Sequence, residues 1–366
     1  MKLHFRQADL AESVNIVLKA VPSKTTMPIL ECILIDATGS NIRLTANDME
    51  LGIETIVEGT IEERGKVALD AKIFSDIVRK LPNNTVTIDS DDKDLTIITC
   101  EKAKFDIPGR NAEEFAALPM IDKNEFISLS QFSLREVIRQ TIFSIAPNEN
   151  NKLMTGELFE VRSGRLKVVS LDGHRIAIRN LELKNSCSDK KVVVPGKTLS
   201  EISKILSGEM DDEVLIYFDY NYLLFEFGKT IVLSRLIDGE YFRIDQMLSS
   251  DYETKVIVNR QAFISSIDRA TLLIRESDKM PVILDIRDEY MCMQINTVLG
   301  SMDEETSVTK TGRDIVIGFN PKFLLDALRV IDDEEVTLYF INAKAPCFIK
   351  DDAGNYIYLI LPVNIR

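Results

Sequence analysis

Apolar positions along the chain follow two periods, and the same order of periods returns three times. Leu10, Val14, Val17 and Leu18 stand at relative positions 0, 4, 7 and 8. The same offsets carry Leu134, Ile138, Thr141 and Ile142, and then Phe263, Ile267, Ala270 and Thr271. At 3.6 residues per turn those offsets form one helix face. A second helix follows each first one. Residues 72–79, 197–204 and 322–329 each open with a lysine, hold an acid in the middle and end on a base. Those opening lysines, Lys72, Lys197 and Lys322, lie 125 residues apart both times. Ahead of each first helix comes a short polar–apolar alternation of period two, at 2–5, 125–129 and 255–258, which predicts strands. Further strand-like runs, among them 160–169 and 214–218, are separated by Gly, Asn and Asp turn residues.

Two helices agreeing in order and register across three copies predict three domains of one fold, at residues 1–123, 124–252 and 253–366. The connections are expected at 121–124 and 249–253, polar stretches without periodicity. Helices arrive singly between groups of strands. The expected class is therefore α+β, with two helices packed on antiparallel sheets in each domain, rather than a parallel βαβ fold.

Composition narrows the function classes. The 366 residues hold 45% apolar and 28% charged side chains, as a soluble globular chain does. No apolar run approaches the roughly 18 residues of a membrane span, and the N-terminus lacks an apolar signal region. Five cysteines lie far apart with no Cys-x-x-Cys pair, which suits reduced thiols in the cytoplasm. With only His4 and His174 as imidazoles, no metal site and no cofactor are expected.

Five short segments then carry a family resemblance. They are Pro28-Ile29-Leu30, Leu171-Asp172-Gly173-His174-Arg175-Ile176-Ala177, Leu236-Ile237-Asp238-Gly239, Ile317-Gly318-Phe319-Asn320-Pro321 and Ile360-Leu361-Pro362-Val363. Taken in this order on a triplicated chain, they make the sequence resemble the bacterial DNA polymerase III beta subunits, the sliding clamps, from end to end. The resemblance implies two copies closed head to tail as a ring around double-stranded DNA, with helices lining the hole. It further implies a processivity role: tethering DNA polymerase and other clamp-motif proteins. A clamp loader would be a separate protein, because no phosphate-cradling loop is present here.

The charge fits such a ring only locally. Net charge is −14 and the pI about 4.8, unlike an ordinary nucleic-acid binder. The six helical segments 8–20, 71–80, 131–146, 197–207, 260–275 and 321–330 nevertheless sum to +6, which leaves −20 for the rest. In the implied ring, Lys19, Lys24, Lys72, Arg79, Lys80, Arg139, Lys197, Lys204, Arg260, Lys322 and Arg329 would face phosphates. The plain alternative is that surface helices carry mixed charge for solubility.

The segment 171–175 invites a catalytic reading, with Asp172 holding His174 as a general base. No nucleophile elbow accompanies it, and a tight turn at Gly173 explains the residues as well. The resemblance instead implies an apolar pocket for partner peptides. It would use Met154, Leu171, Gly173, His174, Arg175, Ile176, Met247, Asn320, Phe323, Leu359, Ile360, Leu361, Pro362 and Val363. Departures from the family pattern are Tyr241-Phe242-Arg243, where proline is common, Asn364 where a base is usual, and Lys344-Ala345-Pro346. They bear on peptide preference. A homodimer is implied too, with Phe105 and Ile107 meeting Leu272 and Leu273, and with Lys102 and Lys104 facing Asp303, Glu304 and Glu305. Two competing functions remain: an enzyme at Asp172 and His174, and an acidic scaffold that never meets DNA.

Overall fold

The periodicities read from the chain become helices at almost the expected positions. The computed structural model describes residues 1–147, 151–185, 187–248, 251–275 and 280–365. Six α-helices form among them: α1 (Gln7–Val17), α2 (Ala71–Lys80), α3 (Gln131–Thr141), α4 (Gly196–Ile205), α5 (Arg260–Thr271) and α6 (Pro321–Val330). The second helix of each repeat, α2, α4 and α6, begins 125 residues after its predecessor. Part of the expected second connection, Ser249 and Ser250, lies outside the described residues.

Positions 0, 4 and 7 of each first helix are buried, and position 8 is only half-buried in all three. Leu18 and Ile142 open 3₁₀ turns (Leu18–Ala20 and Ile142–Ser144), whose tighter winding turns them off the face. Thr271 is the last residue of α5. Helix starts are set by local side chains. Asp70, Ser130, Asn259 and Asn320 accept backbone N–H groups from the first turns of α2, α3, α5 and α6 at 2.8–3.0 Å.

The chain divides into two compact units, residues 1–135 with 200–236, and residues 136–199 with 237–366. In the first, thirteen strands form one antiparallel sheet. Within it the first repeat's Leu51–Val57 pairs with the central repeat's Thr230–Arg235, Leu51 opposite Ser234 and Thr55 opposite Thr230. In the second unit twelve strands form another. There the central repeat's Arg175–Glu182 pairs with the third repeat's Tyr356–Ile360, Arg175 opposite Ile360 and Arg179 opposite Tyr356. Each sheet thus crosses a repeat boundary.

One strand-like run is corrected. Residues 160–169 belong to a hairpin, Gly156–Arg162 with Arg165–Leu171, turning at Ser163 (φ 52°) and Gly164 (φ 76°). Arg162-Ser163-Gly164-Arg165 breaks the alternation and marks the turn, so the run is two strands rather than one. No helix among the described residues is long and apolar enough to cross a membrane, and no group of three or more His, Cys, Asp or Glu there could hold a metal ion.

Behind the sheet of the second unit lies an uncompensated acid. Glu157 is fully buried, and its Oε2 accepts the Thr141 hydroxyl at 3.1 Å. Thr141 in turn gives its carbonyl to the Ser170 hydroxyl at 2.6 Å. No cation among the described residues neutralises Glu157, and burial pushes its carboxyl up to about 8 from an ordinary 4.5. The folded chain therefore holds a proton that the unfolded chain releases near 4.5. Stability from this group is full below that pH and drains away as pH rises towards 8. Glu157→Gln should remove the loss and stabilise the protein by roughly 2–4 kcal/mol at alkaline pH. Thermal melts across the pH range check it, since the gain must shrink towards acid pH; a pH-independent gain contradicts it.

Candidate functional site

The site is built outward from a tight turn. Strands Arg165–Leu171 and Arg175–Glu182 form a hairpin in which Leu171 faces Ile176. Asp172 Oδ1 accepts the N–H groups of His174 at 2.9 Å and Arg175 at 3.2 Å. Gly173 sits at φ +87°, where a side chain would be strained. The other Asp172 oxygen is held by Arg175 Nε at 2.9 Å. With the carboxylate so occupied, the His174 ring instead stacks on Phe323, ring centroids 6.0 Å apart. The acid–base pair that the enzyme alternative needs is not assembled.

Strand alternation sorts the expected pocket residues onto two faces. Leu171, Ile176 and Leu359 share one buried cluster with Tyr339 and Phe348, and Met154 packs against it. Ile360 belongs to a different cluster, the core of the third repeat. Arg175 is buried as well. Its guanidinium reaches Asp326 on α6 at 2.7 Å and the Phe143 carbonyl at 2.5 Å, and lies 4.5 Å from the Phe323 ring centroid. Rather than lining a wall, it ties the turn to α6 beneath that wall.

Two residues of this floor escape sequence reasoning. Tyr241 and Ile244, in the connecting segment, are only 2% and 3% exposed and pack into the same cluster. Tyr241 also donates its hydroxyl to the Val169 carbonyl at 3.3 Å. The available signal is Tyr241-Phe242-x-Ile244, an apolar trio in a polar connection. Met247, which sequence reasoning does name, stands exposed at the end of the turn Ile244–Met247.

The chain's last residues form the other edge. Leu361 donates its N–H to the His174 carbonyl, and Val363 to that of Gly318, each at 2.9 Å. Leu361 and Val363 remain partly exposed, with Pro362 half-buried between them. His174, Asn320, Phe323 and Val363 line a groove of about 720 Å³.

A counterpart of this floor exists in the first unit, where Leu118 packs in and a cavity of about 90 Å³ remains among Asn47, Gly52, Leu118 and Leu233. Gly52 pairs with Leu233 as Ile176 pairs with Leu359, and Asn47 faces Gly52 as Leu171 faces Ile176. A Cβ added to Gly52 would overlap the Leu118 side chain, so the connecting segment's own leucine fills the space.

Among the basic residues singled out above, Lys24, Lys72, Lys80 and Lys322 are exposed and Lys19 is half-buried. None of these five has an ion-pair partner among the described residues. Others are neutralised where they stand. Arg79 meets Asp76 at 3.2 Å, Lys204 meets Glu201 at 2.7 Å, and Arg329 meets Asp268 at 2.9 Å. Arg139 is held between Glu136 at 2.5 Å and Asp332 at 2.9 Å. Arg260 Nε donates to the Asp333 carbonyl at 2.8 Å, while Lys197 is exposed on the first turn of α4.

Three family models match in sequence order. They describe the N-terminal, central and C-terminal domains of the DNA polymerase III beta subunit, over residues 1–119, 128–242 and 245–364. The chain belongs to the DNA polymerase III beta subunit family. Among its members, the beta sliding clamp of Staphylococcus epidermidis is 32% identical over 374 residues, covering 99% of both chains. A structure described as a DNA polymerase III beta subunit from Eubacterium rectale is 64% identical, with TM-score 0.98 over 100% of this chain and 99% of that one. The DNA polymerase sliding clamp of Bacillus subtilis is 35% identical, with TM-score 0.97 over the whole of both chains.

Of the residues named for a dimer in this beta subunit, Phe105 and Ile107 lie on a partly open strand edge, and Leu272 and Leu273 follow α5. Strand Ala103–Arg110 pairs with Leu95–Cys100 over 103–108, but on its other side only Gly109 and Arg110 are paired, with Leu69 and Ala68. Phe105 on it is partly exposed and Ile107 is buried. In the second unit, Gly300–Gly312 likewise pairs over 300–307 on one side and 308–312 on the other. Leu272, after α5, is 79% exposed, whereas Leu273 packs partly against the third-repeat core. Glu304 is bound by Arg269, and Lys104 is drawn to Asp106 at 3.5 Å.

The Arg175 tie can be tested through stability alone. Arg175→Ala leaves the carboxylates of Asp172 and Asp326 without their cation in a mostly buried setting, which should cost about 3 kcal/mol. Urea unfolding measures it, and a loss below about 1 kcal/mol would mean that the tie carries little.

Proposed function

We propose that the chain is a sliding clamp. It encircles double-stranded DNA irrespective of sequence, as a ring of two copies in the cytoplasm. It tethers the replicative polymerase and other replication and repair proteins, and it catalyses nothing itself. The observation that carries this reading is the end-to-end likeness, at 35% identity and TM-score 0.97, to the Bacillus subtilis DNA polymerase sliding clamp. We keep repeat boundaries near residues 123 and 252; the first falls between the spans of the first two family models, 1–119 and 128–242, while the second lies inside the span of the third, 245–364.

In this reading the partner peptide lies over Leu171, Ile176 and Leu359. Met154, Tyr241, Ile244 and Met247 flank it on one side, and His174, Asn320, Phe323 and residues 361–363 on the other. Apolar floor with a few polar anchors suits a short peptide, and the methionines allow varied sequences. At the counterpart Leu118 packs against Gly52 and leaves about 90 Å³, against about 720 Å³ at the groove beside Phe323, which favours one such site per chain.

Phosphates meet chiefly Lys19, Lys24, Lys72 and Lys80, together with Lys197 on the first turn of α4; Lys322 lies on the groove edged by His174 and Phe323. Arg79, Arg139, Lys204, Arg260 and Arg329 add less, because nearby carboxylates or carbonyls already engage most of their charge. A weak cationic lining on a chain of net charge −14 favours sliding over tight attachment. Retention must then come from closure of the ring, which also keeps head-to-tail association from growing into a filament. Loaded onto a nicked circle by a separate clamp loader, the protein should survive a moderate-salt wash and leave once the circle is cut. Replacing Lys24, Lys72 and Lys80 with alanine should slow loading more than it shortens residence on the uncut circle. Equal retention on linear and circular DNA would sink the clamp reading.

The dimer should form where the two open edges can complete each other, 103–107 of one copy against 300–307 of the next, with Phe105 and Leu272 as apolar anchors. Exposed ion pairs at the rim contribute only about 0–1 kcal/mol each, so the anchors dominate. Leu272→Ala with Phe105→Ala avoids the partly core-packed Leu273 and should shift the protein to monomers in light scattering. A dimer unchanged at micromolar concentration rejects this placement.

A further inference from the structure

Resting on the partner cleft just assigned, we propose that the cleft continues along α6 as a cationic groove that takes an acidic flank of the bound partner segment. The groove of about 720 Å³ begins at His174, Phe323 and Val363, which edge the cleft, and reaches the end of α5 and the residues just before Val282. Ile274, Met280 and Pro281 give that far end an apolar wall.

Among the described residues its charge is one-sided once internal pairs are removed. Asp326, the acid in the lining, is bound by Arg175 at 2.7 Å, and Arg329 is bound by Asp268 at 2.9 Å. Arg275 and Lys322 are left, both exposed and without an ion-pair partner among the described residues. Two free cations beside an apolar wall complement a chain that alternates carboxylates with apolar side chains. Nucleic acid would satisfy the cations, but it has nothing comparable to set against Ile274 and Met280. Because the groove shares His174, Phe323 and Val363 with the cleft, one continuous segment can occupy both. A partner would then be selected by residues outside its apolar docking motif, and neutral or basic flanks would gain nothing.

Fluorescence anisotropy on the full-length protein tests this with three labelled peptides: a polymerase-derived docking peptide, and the same peptide with three aspartates added at its N-terminal or at its C-terminal end. One extension should tighten binding about tenfold at low salt, and most of that gain should disappear as the Debye length shrinks. Arg275→Glu with Lys322→Glu should abolish the gain while leaving the plain peptide within about twofold, since neither side chain touches the apolar floor. If neither extension helps, or if the double variant keeps the gain, the groove proposal is overturned while the cleft stands. If the plain peptide fails to bind wild-type protein, the cleft reading falls and the groove with it. A single-stranded oligonucleotide that displaces the extended peptide more strongly than unlabelled extended peptide does would make the groove a nucleic-acid site and also overturn the proposal.

Discussion

Antiparallel pairing of Arg175–Glu182 with Tyr356–Ile360 lets one sheet continue from the central repeat into the third, and Leu51–Val57 with Thr230–Arg235 does the same for the first and central repeats. Every edge strand carries N–H and C=O groups that must find partners, in another strand or in water. Repeats of one fold present matching edges, so each can satisfy its neighbour at no cost in new architecture. The site follows from this pairing. Setting Ile176 opposite Leu359 joins side chains from two repeats in one apolar floor, and setting Arg175 opposite Ile360 sends the arginine towards α6.

Arg175 then converts a flexible turn into a fixed one. Its guanidinium donates one hydrogen bond each to Asp172, Asp326 and a backbone carbonyl, and lies over the Phe323 ring. The turn that presents His174 is consequently tied to the helix that presents Phe323 and Lys322. A lysine could not serve, because a point charge cannot span two carboxylates and a ring at once. Glu157 shows the opposite economy: a buried acid with one hydroxyl partner and no cation, tolerated by keeping its proton.

Charge is partitioned in the same spirit. A net −14 keeps the chain away from casual contact with phosphate, while Lys19, Lys72, Lys80 and Lys322 stand on helices without an ion-pair partner among the described residues. Several arginines on those helices are already matched to acids three residues away or on a facing element, which leaves lysines as the accessible charge. Lysine, a mobile and strongly hydrated point charge, makes contacts that are easily exchanged.

Much of this was legible in the residues themselves. Offsets of 0, 4 and 7 marked the buried helix faces, and the 125-residue spacing of Lys72, Lys197 and Lys322 returned as the spacing of α2, α4 and α6. Helix period and capping are local properties, set within a turn or two of chain, and so the sequence by itself determined them. The family, too, was visible in five short segments. Tertiary structure alone decided which strand edges meet, and from that the face on which each pocket residue falls. Arg175 and Ile176 are neighbours in sequence, yet a period of two sends one into the core and the other to the cleft floor. The same dependence explains why Tyr241 and Ile244 belong to that floor, and why Leu118 packs against Gly52 at the other junction. Each outcome depends on a residue far away in the chain, and no local pattern carries information about where a distant strand will pair.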